Sequence, residues 1–223
     1  MQPANQVIIK KWKRWLKVIY KDLVTLAAYR HVFQEIQEIV RKNPKVNVGS
    51  SFHDLIATGY STFASISVRR QLDRDRRSVS LALLMDDILK NPAALSRRRM
   101  VKLYQRSRLP AAMAHRHMDN SQRMGRVRIN MRQVRKDLAA LDCNCNRVRR
   151  YVNKHVAHRN RQPLRSLPTF EDLNRSIDFL EELFKRYNFL IEGSGLLHLT
   201  PTWQYDWKSV LRAPWISPEA EES

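Results

Sequence analysis

From residue 6 to residue 42, Trp12, Leu16, Ile19, Leu23, Leu26, Phe33, Ile36 and Val40 recur every three or four positions, which is one face of a long helix. Asn43-Pro44 ends it, because proline disfavours helical geometry in the residue before it. A second helix is expected from Ser51, with Asp54 completing a capping box. Its apolar positions are Phe52, Leu55, Ile56, Phe63 and Ile66, separated by Ala57, Gly59, Ala64 and Ser65, residues small enough to let a neighbouring helix approach. It runs out in VRRQLDRDRR, residues 68–77. A short helix over Ser78 to Lys90 buries Leu81, Leu84, Met85 and Ile88. Asn91-Pro92 then reads as an N-cap and first helical residue, opening a helix through Tyr104. Residues 105–120 have no period and read as an irregular, exposed, basic connection.

The strongest period runs through Val127, Met131, Val134, Leu138, Leu141, Cys145, Val148, Val152 and Val156. It predicts one helix of about 45 Å, or two meeting near Cys143. Thr169 and Asp172 form a second capping box ahead of the stripe Leu173, Ile177, Leu180, Phe184 and Tyr187, and the helix stops before Gly193-Ser194-Gly195. The tail from Leu196 carries Trp203, Trp207 and Trp215 among prolines and reads as a strap inserting its tryptophans into the bundle; residues 217–223 fray. The pattern predicts an all-α bundle of about six helices over residues 1–192, followed by a C-terminal strap and tail over 193–223.

Charge changes the picture. The 223-residue chain has 41 Lys and Arg against 21 Asp and Glu, a net +20, which points to a polyanionic partner. The excess is localised, since residues 95–166 hold 20 Lys and Arg against Asp119, Asp137 and Asp142 alone, a net +17. No apolar run approaches the roughly 20 residues that span a bilayer, and the N-terminus lacks a signal-peptide core, so the cytoplasm is the expected compartment. The opening KKWKRWLKVIYK sets tryptophans against lysines as a membrane-surface helix does. Its stripe continues well past the basic part, which favours a core helix. Cys143 and Cys145 would point about 200° apart on a helix, so they neither staple the fold nor pair around a metal.

The candidate chemistry lies in RRYVNKHVAHRNR, residues 149–161. On a regular helix, Arg147, Tyr151, His155 and His158 share a face. Imidazoles one turn apart near guanidinium groups suit proton transfer at a phosphodiester. Two histidines supply too few ligands for a metal site, and no metal or other cofactor is expected. Histidines that merely solvate or cap a helix end are the competing reading. A glycine-rich phosphate loop, a nucleophile elbow and a zinc pattern are all absent from the sequence, which removes the commonest routes to nucleotide hydrolysis, acyl transfer and zinc chemistry.

The order of a long first helix, Arg70-Gln71-Leu72-Asp73, SVSLALLMDDI, then Asn153-Lys154 with Ala157-His158-Arg159, and finally Asp206-Trp207 with Pro214-Trp215, resembles HEPN proteins of the abortive-infection AbiU type. The resemblance covers nearly the whole chain. It implies a homodimer with the motif helices facing each other across a cleft, acting in phage defence or a toxin–antitoxin pair. It also implies RNA as partner, metal-independent RNA cleavage, and a possible cognate antitoxin. The superfamily pattern is an arginine, usually a polar residue, then a histidine, with four to six residues between arginine and histidine. Aligning His158 and Asn153 to it puts Val152 where the arginine belongs, and seven residues separate Arg150 from His158. Arg150 and His155 satisfy the gap, but Tyr151 then follows the arginine. The expected catalytic set is His158, His155, Arg150 and Asn153. Arg147, Arg149, Lys154, Arg159, Arg128, Arg132 and Arg135 are expected to contact nucleic acid. The alternative is a module that has lost the arginine and only binds nucleic acid or serves a structural role.

Overall fold

The computed structural model describes residues 3–95, 99, 131–156 and 167–215. Among them are six α-helices and no strand: α1 (Pro3–Lys42), α2 (Ser51–Gln71), α3 (Leu81–Lys90), α4 (Met131–Asn144), α5 (Asn146–Tyr151) and α6 (Phe170–Glu192). Short 3-10 turns cover Pro92–Leu95 and Trp207–Leu211, and a π turn covers Val152–Val156. The expected all-α bundle is the observed one. The irregular connection at 105–120, the end of the helix expected through Tyr104, the start of the long stripe at Val127, and the frayed tail at 217–223 lie outside the described residues.

Forty residues of helix make α1 the spine of the bundle, about 60 Å long at 1.5 Å per residue. The predicted stripe buries Trp12, Leu16, Ile19, Leu23, Leu26 and Phe33 against α2 and α6. Trp12 is fully buried, and its indole N–H donates to Asp87 Oδ2 at 2.5 Å, while Lys11 pairs with the same carboxylate at 2.7 Å. Lys11 also lies over the Trp15 ring, 5.0 Å from its centroid. Trp12 therefore faces the bundle interior and Trp15 packs half-buried against it, and no helix among the described residues is long and apolar enough to cross a membrane.

Ion pairs of α1 with α6, Lys13 with Glu192 and Arg30 with Asp178, fasten the two helices toward either end of their contact.

Two expectations for α2 are corrected. Its N-cap is Ser50, extended at φ −140°, whose hydroxyl accepts the His53 N–H, so the Ser51 and Asp54 capping box does not form. Its buried side carries Tyr60, Ala64, Ser65, Ser67, Val68 and Gln71, while Leu55 is 68% exposed and Phe52 and Ile66 also face outward. Small residues win the interior because they let α2 approach its neighbours closely. The Arg-Gln-Leu-Asp sequence at its end is a structural corner. Buried Gln71 donates to Asp22 on α1 and accepts the Leu81 N–H at the start of α3, and Leu72 is buried beside it. Ser80 then caps α3 through the Leu83 N–H at 3.0 Å. Asn91 closes α3 through the Asp87 and Ile88 carbonyls, and its own carbonyl accepts the Ala94 N–H, so a helical turn does open at Pro92, of the 3-10 kind over Pro92–Leu95.

The capping box of α6 forms as predicted: Thr169 Oγ1 accepts the Asp172 N–H at 3.1 Å and Asp172 accepts the Thr169 N–H at 3.0 Å. Leu173, Ile177, Leu180, Phe184 and Tyr187 are buried, and Gly193 ends the helix at φ 79°, the left-handed conformation that favours glycine. The C-terminal strap is anchored by buried Leu199, by Trp203 stacked on His31 at 4.9 Å, and by Lys208 paired with Glu35. Trp215 is 63% exposed, packs edge-to-face with Phe52 at 5.7 Å and donates its indole N–H to the Val210 carbonyl at 2.8 Å, so it is not inserted as expected.

Hydrogen bonds from the Thr169 backbone, with Arg147 and the Thr169 hydroxyl, hold the Asp172 carboxyl below the ordinary aspartate range. A depressed folded-state pKa stabilises above the unfolded value of 3.8 and is lost as pH falls through the folded one. Asp172→Asn should therefore unfold in less urea than the parent at pH 7, with the gap narrowing below pH 3.8. Leu180→Ala, emptying a fully buried position, should cost about 2–5 kcal/mol in the same titration.

Candidate functional site

The site begins where the long helix predicted from Val127 breaks. α4 ends at Asn144 and α5 starts at Asn146, with Cys145 between them at φ −101° and ψ 4°. The cause is Ser176 on α6, whose hydroxyl lies 3.1 Å from the Asn144 carbonyl and 2.8 Å from that of Asp172. A side chain inserted into the helical ladder bends it. The Cys145 thiol is fully buried beside Ser176, and burial pushes it up to about 12. The break falls two residues past the expected Cys143.

Beyond α5, the α-helix opens into the π turn Val152–Val156. Such turns are rare, and they occur often at functional sites. Arg147 lies one turn before Tyr151 on α5, and the Tyr151 and His155 rings stay side by side across the start of the π turn. Val152 is 5% exposed, so the position aligned with the superfamily arginine faces the core. No side chain there reaches a ligand on the surface. Asn153 is exposed, and its Oδ1 accepts a 2.9 Å hydrogen bond from Arg69 Nε on α2. The His155 ring lies nearly parallel to Tyr151 with centroids 6.3 Å apart, and its Nε2 is sealed from solvent without a hydrogen-bond partner among the described residues. A buried polar atom left so costs free energy unless something else satisfies it.

The basic residues divide into two groups. Arg147 is paired with Asp172 at 2.9 Å, joining α5 to the first turn of α6. Arg149 pairs with Asp142 at 3.0 Å and donates to Asn146, and Arg74 holds the other oxygen of Asp142 at 2.6 Å. Arg147 and Arg149, both expected on nucleic acid, thus fasten the fold. Arg132 and Arg135 on α4, and Arg150 on α5, are exposed with no ion pair among the described residues, and Lys154 is half-buried within the π turn. His158, Arg159 and Arg128 lie outside the described residues. Of the expected catalytic set, the structure places His155, Asn153 and Arg150 on one short stretch.

Arg69 is not among the site residues that the sequence suggests. It lies 84 residues from Asn153 in sequence, and its only local signal is the arginine run that ends α2. Among the described residues, no group of three or more His, Cys, Asp or Glu is arranged to hold a metal ion. The chemistry available is that of guanidinium, ammonium and imidazole groups, which suits phosphate contact and proton transfer.

The HEPN_AbiU2 family model, described as AbiU2, matches residues 9–209, from the first buried turn of α1 to the 3-10 turn of the strap. No curated protein and no solved structure matches the chain.

The bend at Cys145 makes the two thiols unequal. A thiol reagent at neutral pH should modify exposed Cys143 quickly and Cys145 only on unfolding. Two thiols reacting at the same fast rate in the native protein would contradict the packing of Cys145 beneath α6.

Proposed function

The chain belongs to the HEPN AbiU2 family, and on that premise we propose that it acts in phage defence by engaging RNA at the junction of α2 with the π turn, and cleaves it without a metal ion. The observation that carries this reading is the π turn. It sets exposed Asn153 two residues from His155, whose buried Nε2 has no hydrogen-bond partner among the described residues, inside the segment carrying a net +17.

In this reading a ribose 2′-oxygen attacks the adjacent phosphorus. His155 and His158 divide the proton work: one imidazole takes the 2′-hydroxyl proton, and the other, protonated, gives its proton to the departing 5′-oxygen. Guanidinium groups, with Arg150 as the exposed one on α5, offset the charge that builds on the phosphoryl oxygens. The products are a 2′,3′-cyclic phosphate and a 5′-hydroxyl. A homodimer that sets two π turns across a cleft, and an antitoxin that covers it, belong to the same proposal.

A second reading is favoured by one observation, the burial of Val152. A member with no arginine at that position binds RNA through Arg132, Arg135 and Arg150 and does not cut it. Binding of that kind weakens steeply with salt.

Incubating the purified protein with structured RNA in EDTA separates the two. Cleavage to cyclic-phosphate ends is expected, slowed by roughly 10²–10⁴ in His155→Ala and in His158→Ala. Intact RNA that stays bound would establish the second reading, and cleavage undiminished in both variants would remove the histidines from the chemistry.

A further inference from the structure

We infer that Arg69 of α2 is an RNA-phosphate-binding residue of the π-turn site, held in place by Asn153. This rests on the reading that the π turn engages RNA, and it assigns a guanidinium to a site whose own helix has Val152 turned inward.

The first ground is how Arg69 is bonded. Its Nε donates to the Asn153 amide oxygen at 2.9 Å, and neither Nη nitrogen has a partner among the described residues. A guanidinium carries five N–H donors in a fixed planar fork. One is used, and four remain for an oxyanion.

The second ground is the contrast with its neighbours. Arg70 pairs with Asp22, Arg74 with Asp142 and Arg77 with Asp75, while Arg76 is exposed with no ion pair among the described residues. Arg69 is held by a neutral amide, so its full charge stays available to an anion. A single bond from Nε also fixes the plane of the fork before any ligand arrives, which reduces the entropy lost on binding.

The third ground is position. α2 packs against both α5 and the π turn, and Arg69 lies in the last turn of α2 with its stem half-buried and Val68 beside it fully buried. That places the fork next to Asn153, two residues from His155. The competing account is that Arg69 only fastens the π turn to α2, helped by the preference of helix C-termini for cations. A fastener needs its Nε and nothing more. A phosphate ligand needs the charge.

Salt dependence separates charge from fastening, because each phosphate contact contributes about 0.9 to the slope of log affinity against log salt on a duplex and about 0.7 on a single strand. The test uses the full chain and a fluorescein-labelled RNA hairpin with 2′-O-methyl riboses, which cannot be cleaved. Kd is measured over a range of KCl concentrations for the parent, Arg69→Gln, Arg69→Lys and Asn153→Ala.

Arg69→Gln is expected to bind roughly tenfold more weakly with a slope smaller by about one. Asn153→Ala should weaken binding while keeping the parental slope, because it leaves the charge and loses its orientation. Arg69→Lys should likewise keep the slope and lose part of the affinity. Parental affinity and slope in Arg69→Gln would overturn the inference and leave Arg69 a fastener. If Arg69→Gln unfolds early, Arg69→Lys decides: weaker binding at the parental slope supports the inference, and parental affinity overturns it. A parent that binds no RNA at any salt concentration removes the RNA reading itself, and the inference with it.

Discussion

A carboxylate buried in the middle of a strongly basic chain sets the geometry on which the candidate site depends. Asp137, on α4, receives the Tyr187 hydroxyl at 3.0 Å and the Gln133 amide at 2.7 Å, and it is paired with Arg186. Burial and the neighbouring Asp137 charge both push the Tyr187 phenol upward, so it remains a donor throughout the ordinary pH range. Taking this carboxylate out of water is tolerable only because all three groups converge on it. Arg186 and Tyr187 thereby fix α4 along the C-terminal half of α6, while Gln133 satisfies the carboxylate from within α4. Toward the N-terminal end of α6, Asp172 holds Arg147 and Ser176 reaches the Asn144 carbonyl, so one face of α6 controls where α4 stops and α5 begins. The placement of the π turn against α2 depends on that register.

The same arrangement explains why a net charge of +20 does not act as one undifferentiated basic surface. Arg147, Arg149, Arg74 and Arg186 are drawn into ion pairs, most of which join helices. Arg132, Arg135 and Arg150 remain outward, and Arg69 is held by an amide. Family membership supplies the premise for RNA, and this division supplies the geometry. Position 152 faces the core, and α2 brings the guanidinium of Arg69 to the adjacent Asn153.

The legible parts of the sequence are those in which one physical signal dominates. The stripes of α1 and α6 pair large apolar residues with turn-by-turn spacing, Thr169 and Asp172 announce a helix start, and Gly193 announces an end. The face of α2 is harder to read because large side chains do not mark its interior. Close approach through Ala64, Ser65 and Ser67 puts Phe52 and Leu55 outside, and the buried amide of Gln71 is polar. A π turn has no signature in a pattern read at 3.6 residues per turn, so the turn at Val152–Val156 is not legible, although Tyr151 and His155 still lie side by side across its start. The Cys145 bend comes from Ser176 on another helix, and Arg69 meets Asn153 across 84 residues. Neither leaves a local trace.

The proposed site puts RNA over the π turn and the end of α2. Ultraviolet crosslinking of the parent protein to RNA containing 4-thiouridine, with mass-spectrometric mapping of the modified peptides, tests that most directly. Crosslinks should concentrate in the peptides that contain Arg69 and residues 150–156. Crosslinks confined to other surfaces, with none in those two peptides, would contradict it.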